Sequence, residues 1–339
     1  FGADAVRFTL TSMAAMGRDL KLSTSRVAGY RNFATKIWNA SRFAEMNHCI
    51  SDANYNPLSA ELAINKWIVG ETSKLKEVID VALTDFRFND AAATLYGHIW
   101  GKFCDWYVEF SKPIFAGADE KAKRETRKVF SWALDQCLIM LHPIMPFITE
   151  ELWSSRSQGD KLLIHTPWPK YKVLDYLDHN SDKEINWIIQ LVEEIRSIRS
   201  EMHVPAGLKV SLLQIKLQSE NQEFLNRNRS IVNRLARLTD ILSVDELPTG
   251  IVTISVDGGE FCLPIADIVD ISKEKGRLEK SIKKVVEEKS LLAKKLNNPK
   301  FINNAPETIV SEHRERLLKL EHELEKLETA LVRFSEMVD

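Results

Sequence analysis

The chain has 339 residues, 44% of them hydrophobic and 28% charged, with a formal net charge of −2 at neutral pH. That length exceeds what one hydrophobic core serves, so two or three domains are expected, and the balanced composition excludes a disordered or collagen-like chain. A nearly neutral sum also excludes nucleic-acid attraction by the field of the whole molecule, so any such affinity has to come from local basic patches.

No run of eighteen apolar residues occurs, which predicts a cytoplasmic protein with no membrane contact. Phe1 falls inside what reads as a helix, with Ala3, Asp4, Ala5, Val6, Arg7 and Phe8, and there is no initiating methionine, so the natural start is expected upstream. Cys49, Cys104, Cys137 and Cys262 stand far apart without a CxxC pair. Such spacing suits neither a zinc site nor a disulfide framework and predicts reduced, core-filling thiols.

In chain order, residues 23–153 read as successive amphipathic helices. Ser23 and Thr24 offer an N-cap for a helix running to about Asn47. At 100° per residue, Val27, Tyr30, Phe33, Ala34, Ile37, Ala40 and Ala44 share one face, and Arg31, Asn32, Lys36, Asn39 and Arg42 share the other. Further helices are expected over residues 59–83, 89–110 and 119–141, with Asn89 as a cap, Pro113 closing the third and Pro143 stopping the fourth. Short connections imply antiparallel neighbours and hence a bundle.

Between residues 180 and 264 the texture changes. A helix over 181–202, a strand over 209–217, a helix over 219–238 and two strands flanking Asp257-Gly258-Gly259 make a small α/β unit. The Asp-Gly-Gly sequence predicts a hairpin with a type I′ turn, which needs positive φ at both central residues. The last segment carries two heptad patterns, Leu278, Ile282, Val285, Lys289, Leu292, Leu296 and Leu317, Leu320, Leu324, Leu327, Leu331, Phe334, Val338. Prolines and asparagines over 297–306 separate them, so an antiparallel two-helix hairpin is expected, projecting on the order of 45 Å. Its arms differ in charge. Residues 272–300 hold ten Lys or Arg against four Glu, whereas residues 306–339 hold five against nine acids. The basic arm is a candidate RNA-facing surface; the alternative is that opposite charges only enforce pairing of the arms.

No glycine-rich phosphate loop, HExxH, nucleophile elbow or metal-spaced ligand cluster is present. No catalytic residue and no metal ligand is therefore assigned. His142 beside Pro143 reads as a structural histidine, and Glu150 and Glu151 diverge by about 100° on a helix, a solvated edge and not a catalytic carboxylate pair. The aromatic stretch over 99–107 could stack bases, but Trp100, Phe103 and Tyr107 recur at helical spacing, which favours bundle packing. The Arg- and Asn-rich face of the helix over 26–42 has the donors and acceptors that read splayed bases or hold phosphates.

Several segments resemble a known family. Phe1-Gly2-Ala3-Asp4-Ala5-Val6-Arg7-Phe8, Gly17-Arg18-Asp19-Leu20-Lys21-Leu22, Tyr30-Arg31-Asn32-Phe33-Ala34, Lys36-Ile37-Trp38-Asn39-Ala40, Phe103-Cys104-Asp105-Trp106-Tyr107 and the run from Leu141 to Trp153 are similar to class I aminoacyl-tRNA synthetases of the valine, isoleucine and leucine group. The segment from Ile195 to Pro205 and a terminal hairpin with Phe301 and Ala305-Pro306 resemble the valine branch. The bacterial isoleucine enzyme typically ends in a cysteine-ligated zinc module, for which this chain has no ligands.

The resemblance implies a mainly α chain: the end of a stem-contact region over 1–22, a helical anticodon-binding domain over 23–179, a small α/β connecting domain over 180–266 and a coiled-coil tRNA-binding arm over 267–339. It implies tRNA(Val) as partner and a monomer. The family's ATP- and Mg-dependent chemistry belongs to a catalytic domain, and its proofreading to an editing domain, both expected upstream of Phe1. No cofactor is expected here. The expected contacts are Arg31, Asn32, Lys36, Asn39 and Arg42 for the anticodon, and Arg277, Lys280, Lys283, Lys284 and Lys294 for the tRNA elbow. The remaining alternatives are the corresponding part of the isoleucine enzyme and a coiled-coil scaffold that binds no RNA.

Overall fold

A computed structural model describes residues 1–14, 22–52, 54–156, 161–244, 250–265, 271–298 and 307–336. The segment 17–21, the inter-arm connector over 299–306 with Phe301 and Ala305-Pro306, the boundary at 266/267 and Val338 lie outside the described residues. The chain forms two compact units, residues 1–189 and 190–339.

The first unit is all helical: α1 (Ala3–Met13), α2 (Thr24–Met46), α3 (Ala63–Thr84), α4 (Phe88–Tyr96), a π-helical stretch (Gly97–Tyr107) leading straight into α5 (Val108–Ala116), α6 (Glu120–Leu141) and α7 (Pro146–Arg156). Ser23 caps α2 by accepting from the Arg26 amide at 3.3 Å, and Asp119 caps α6 through the amides of Lys121 and Ala122. The expected inward face of α2 is buried at Val27, Phe33, Ile37, Ala40 and Ala44. Phe8 from α1, Tyr30 and Phe33 from α2, and Tyr96 form an aromatic cluster with ring centroids 4.6–6.4 Å apart. Phe103, Tyr107 and Phe110 are fully buried, so the aromatic stretch is mainly core, as its helical spacing suggests.

Polar groups lock the bundle at two places. Asp4 on α1 accepts from the Phe147 and Ile148 amides at 3.3 and 2.7 Å, supplying α7 with an N-terminal acceptor from another helix, while Arg7 donates to the carbonyls of Pro143 and Ile144. Buried Asp135 on α6 accepts from Arg156 at 3.0 Å and from Ser51 at 2.6 Å; burial pushes its carboxyl up despite the Arg156 guanidinium.

Several helix limits differ from expectation. Arg87, not Asn89, is the residue before α4, and Asn89 instead donates to Asp90. Pro113 lies inside α5 and does not close it; a proline gives up one donor but keeps its carbonyl, and the helix runs on until Gly117. The fourth expected helix does end at Leu141 ahead of Pro143, and α7 follows after only four residues.

In the second unit, α8 (His179–Glu201), which begins in the first, leads to β1 (Val210–Leu217), α9 (Ser219–Leu235), β2 (Leu238–Ser243), β3 (Ile251–Val256) and β4 (Gly259–Pro264). The sheet order is β2-β1-β4-β3, with β1 and β2 parallel and the other pairs antiparallel. The strand β2 is absent from the sequence pattern, which carries the preceding helix to Leu238; the helix ends at Leu235, and Arg237 turns the chain with φ 54°. The β3–β4 hairpin is present, but of its two central residues only Gly258 has positive φ, 65°, so the turn is not type I′. A side chain at Gly258 would collide with Asn221, whose amide donates to the Asp257 carbonyl at 2.8 Å.

The helices α10 (Ile271–Leu296) and α11 (Glu307–Glu336) pack along one another. Ion pairs Glu288–Arg316 and Lys289–Glu321 link the arms in antiparallel register. Leu278, Val285, Val310 and Leu320 are buried, whereas Ile282, Leu292, Leu317 and Leu324 are half-buried. Two helices have a single seam, which covers only one side of such residues.

Candidate nucleic-acid interface

The polar face of α2 is exposed at Arg31, Asn32, Asn39 and Arg42. Arg31 donates to Asn32 at 3.1 Å, and its guanidinium lies 5.9 Å from the Phe1 ring centroid. Arg42 pairs with Glu45 at 2.7 Å. Both guanidiniums keep donors directed to solvent, since these exposed contacts are weak and readily exchanged.

Lys36 differs from the other four. Its side chain is 24% exposed and paired with Asp105, with Nζ 3.9 Å from the Trp100 ring centroid. An ammonium held by a carboxylate and an indole face is partly neutralised, and an incoming phosphate must compete with Asp105 for it. The geometry therefore joins Lys36 to the half-buried aromatic group of Tyr96 and Trp100, whose rings stack at 5.5 Å.

Sequence reasoning passed over Trp38. Its side chain is 42% exposed at the Arg31 and Arg42 edge of this polar face. On the helical wheel Trp38 falls beside Arg31 and Arg42, within about 40° of both, and an indole next to two guanidiniums is the signal that could have found it. It offers a flat π-face of the kind on which an unstacked base rests.

On α10, Lys280, Lys283, Lys284 and Lys294 are exposed, and among the described residues none of them forms an ion pair. The fifth expected contact, Arg277, is also exposed but leans on His203, with Nη2 2.7 Å from Nε2. The inter-arm pairs use Glu288 and Lys289 instead. These four lysines are therefore left as a positive strip that pairing of the arms does not consume.

The side chains weighed for catalysis hold structural positions. His142 Nδ1 lies 2.8 Å from Thr149 Oγ1, and burial lowers its pKa. Glu150, expected at a solvated edge, accepts from the Leu163 amide at 2.7 Å. All four cysteines are buried; burial pushes the Cys49 and Cys104 thiols up to about 12, the unreactive protonated form. Among the described residues no group of three or more His, Cys, Asp or Glu could hold a metal ion, and no helix is long and apolar enough to cross a membrane.

Comparison with known families gives these surfaces a context. Residues 65–216 match the profile described as the anticodon-binding domain of tRNA ligase, and residues 270–335 match the valyl tRNA synthetase tRNA binding arm. The chain thus carries two tRNA-recognition elements of an aminoacyl-tRNA synthetase of class I. Over 99% of its length it is 49% identical to the valine–tRNA ligase of Ruegeria pomeroyi, 50% identical to that of Cereibacter sphaeroides and 45% identical to that of Agrobacterium fabrum. It spans 33%, 34% and 36% of those proteins respectively. The chain belongs to the valine–tRNA ligase family and corresponds to the C-terminal part of these relatives.

Proposed function

We propose that the chain grips tRNA(Val) at two separated places, the anticodon on the exposed face of α2 and the elbow on the lysine strip of α10. The observation that carries the reading is the coexistence of two solvent-facing basic surfaces, one on α2 ahead of the anticodon-binding match over residues 65–216 and one inside the tRNA-binding-arm match over residues 270–335. Arg31, Asn32, Asn39 and Arg42 surround a splayed base that rests on Trp38, while Lys36 orients the Trp100 side of the same helix. Lys280, Lys283, Lys284 and Lys294 meet phosphates at the elbow, and Arg277 stands at the base of that strip.

The domain limits that accompany this reading are a stem-contact end over 1–22, the anticodon-binding bundle over 23–179, the α/β connection over 180–266 and the arm over 267–339. In the whole enzyme the two contacts fix a rigid L-shaped RNA so that its 3′ end reaches a catalytic domain where ATP, with Mg, activates valine. Orientation supplied in advance lowers the entropic part of the barrier to transfer. The proposed enzyme is a cytoplasmic monomer.

The test is titration of the 339-residue chain with tRNA(Val) over a range of ionic strength. Phosphate contacts make affinity fall steeply with salt. A folded chain that binds no tRNA at low salt, or whose binding does not respond to salt, overturns the reading and favours a protein-binding scaffold.

A further inference from the structure

A surface pocket of about 690 Å³ in the second unit is lined by Arg196 and Arg199 on α8, His203 and Ala206 after it, and Arg237 after α9. Among the described residues no carboxylate lines it. Arg196 and Arg199, three apart on a helix, share one face, and two helix ends complete the wall. His203 (φ 52°) and Arg237 (φ 54°) are the left-handed residues that end α8 and α9. The end of α8 is closed by bonds from the His203 amide to the Ser200 carbonyl and from the Val204 amide to the Arg199 carbonyl. Glycine is the unstrained residue for both places, and both instead carry a basic side chain into the same pocket.

The guanidiniums are held in place by backbone acceptors. Arg196 Nε donates to the Leu235 carbonyl at 3.1 Å, Arg199 Nη2 to the Leu208 carbonyl at 2.7 Å, and Arg237 Nη1 to the Ala206 carbonyl at 2.6 Å. Neutral carbonyls hold the Arg199 and Arg237 guanidiniums without cancelling their charge. Arg199 is 94% buried by its 6% exposure, and its Nη1 has no hydrogen-bond partner within the protein. Burial, and then the neighbouring Arg237, hold its pKa below the usual arginine value. A buried guanidinium nitrogen without an acceptor is unfavourable, and an anion in the pocket would supply that acceptor and relieve the repulsion. Arg277 of α10 reaches the same rim through His203.

We propose that this pocket is an anion site that takes one backbone phosphate of the bound tRNA, a contact additional to the α2 face and the α10 lysines. The inference rests on the tRNA-binding reading above. Forked guanidiniums match the oxygens of a phosphodiester. Loop and helix-end placement gives the site a fixed shape, unlike the swinging lysines of the arm.

The experiment compares the whole chain with its Arg237→Gly and Arg196→Gln variants. Glycine suits the φ of residue 237, so the end of α9 is retained while the guanidinium is lost. Each variant is titrated with tRNA(Val) across salt, and phosphate ethylation interference is mapped in parallel. The expected result is that wild type binds, that Arg237→Gly reduces the steepness of log K against log salt by about one, and that one phosphate stops interfering in the variant map. Wild-type binding with unchanged salt dependence and an unchanged interference map in both variants, at preserved helicity and melting temperature, overturns the pocket assignment alone. Failure of wild type to bind any tRNA would instead remove the function proposed for the whole chain, and this inference with it.

Discussion

Trp38 concentrates the anticodon proposal in one side chain. Its indole is exposed on a helix whose opposite face is fully committed to the core, so truncation changes the surface and little else. Trp38→Ala is expected to weaken tRNA(Val) binding by about tenfold, in keeping with roughly 1–3 kcal/mol per stacked base, at unchanged melting temperature. Arg31→Ala is expected to weaken binding with equally little effect on melting. A fall in thermal stability without loss of affinity in either variant would show a structural role and remove that residue from the interface.

His98 gives a residue-scale prediction of another kind. It is buried, its Nε2 lacks a partner, and burial lowers its pKa to about 4, with Glu71 opposing and Lys102 reinforcing that shift. The value lies below the ordinary one of about 6.5, so folding selects the neutral ring. Stability is complete above about pH 6.5 and declines as pH falls toward about 4, because the unfolded chain takes up the proton first. The melting temperature of wild type should therefore drop more steeply over that interval than that of His98→Gln; parallel curves would exclude His98 as the source. The Glu71 carboxyl beside it is shifted in the same direction for a different reason. Burial favours its protonated form, but Lys102 and Lys74 outweigh burial and keep its carboxyl below the usual range.

Among the elements, α10 carries the sharpest distinction between charge and packing. Lys280, Lys283 and Lys284 point to solvent, while Leu278 and Val285 fill the seam. Reversing the three lysines to Glu should reduce tRNA affinity by at least tenfold at low salt and flatten its salt dependence, with helical circular dichroism preserved. Unchanged affinity would exclude the arm from RNA contact. The π-helical stretch shows what periodicity alone misses. It keeps Phe103 and Tyr107 in the core yet leaves Trp100 half-buried beside Lys36, an outcome that depends on the wider turn and on α2 lying alongside.

The whole molecule is expected to recognise an RNA through points that act together. An anticodon-swapped tRNA(Val) transcript should lose the part of the affinity due to the α2 face while retaining the part due to the arm. A tRNA(Ile) transcript bound as tightly as tRNA(Val) would favour the isoleucine-type reading. Measuring both transcripts with wild type and with the lysine-reversed arm separates the two contributions, since distant sites contribute almost additively.

Much of this architecture was readable in the residues because it is local. The buried face of α2, its Ser23 cap, the β3–β4 hairpin and the heptad seam of the arms all follow from side chains three, four or two positions apart, whose neighbours are set by helix or strand geometry. Tertiary structure alone decided the rest. It brought Asp105 to Lys36, Asp4 to the start of α7, and Arg237 to Arg196 and Arg199 across a strand and a helix. Those meetings depend on the path of the chain between the residues, and periodicity carries no record of that path. Sequence therefore determined which faces are wet and which are buried, whereas the fold determined which charges on the wet faces are already paired and which remain available to a phosphate.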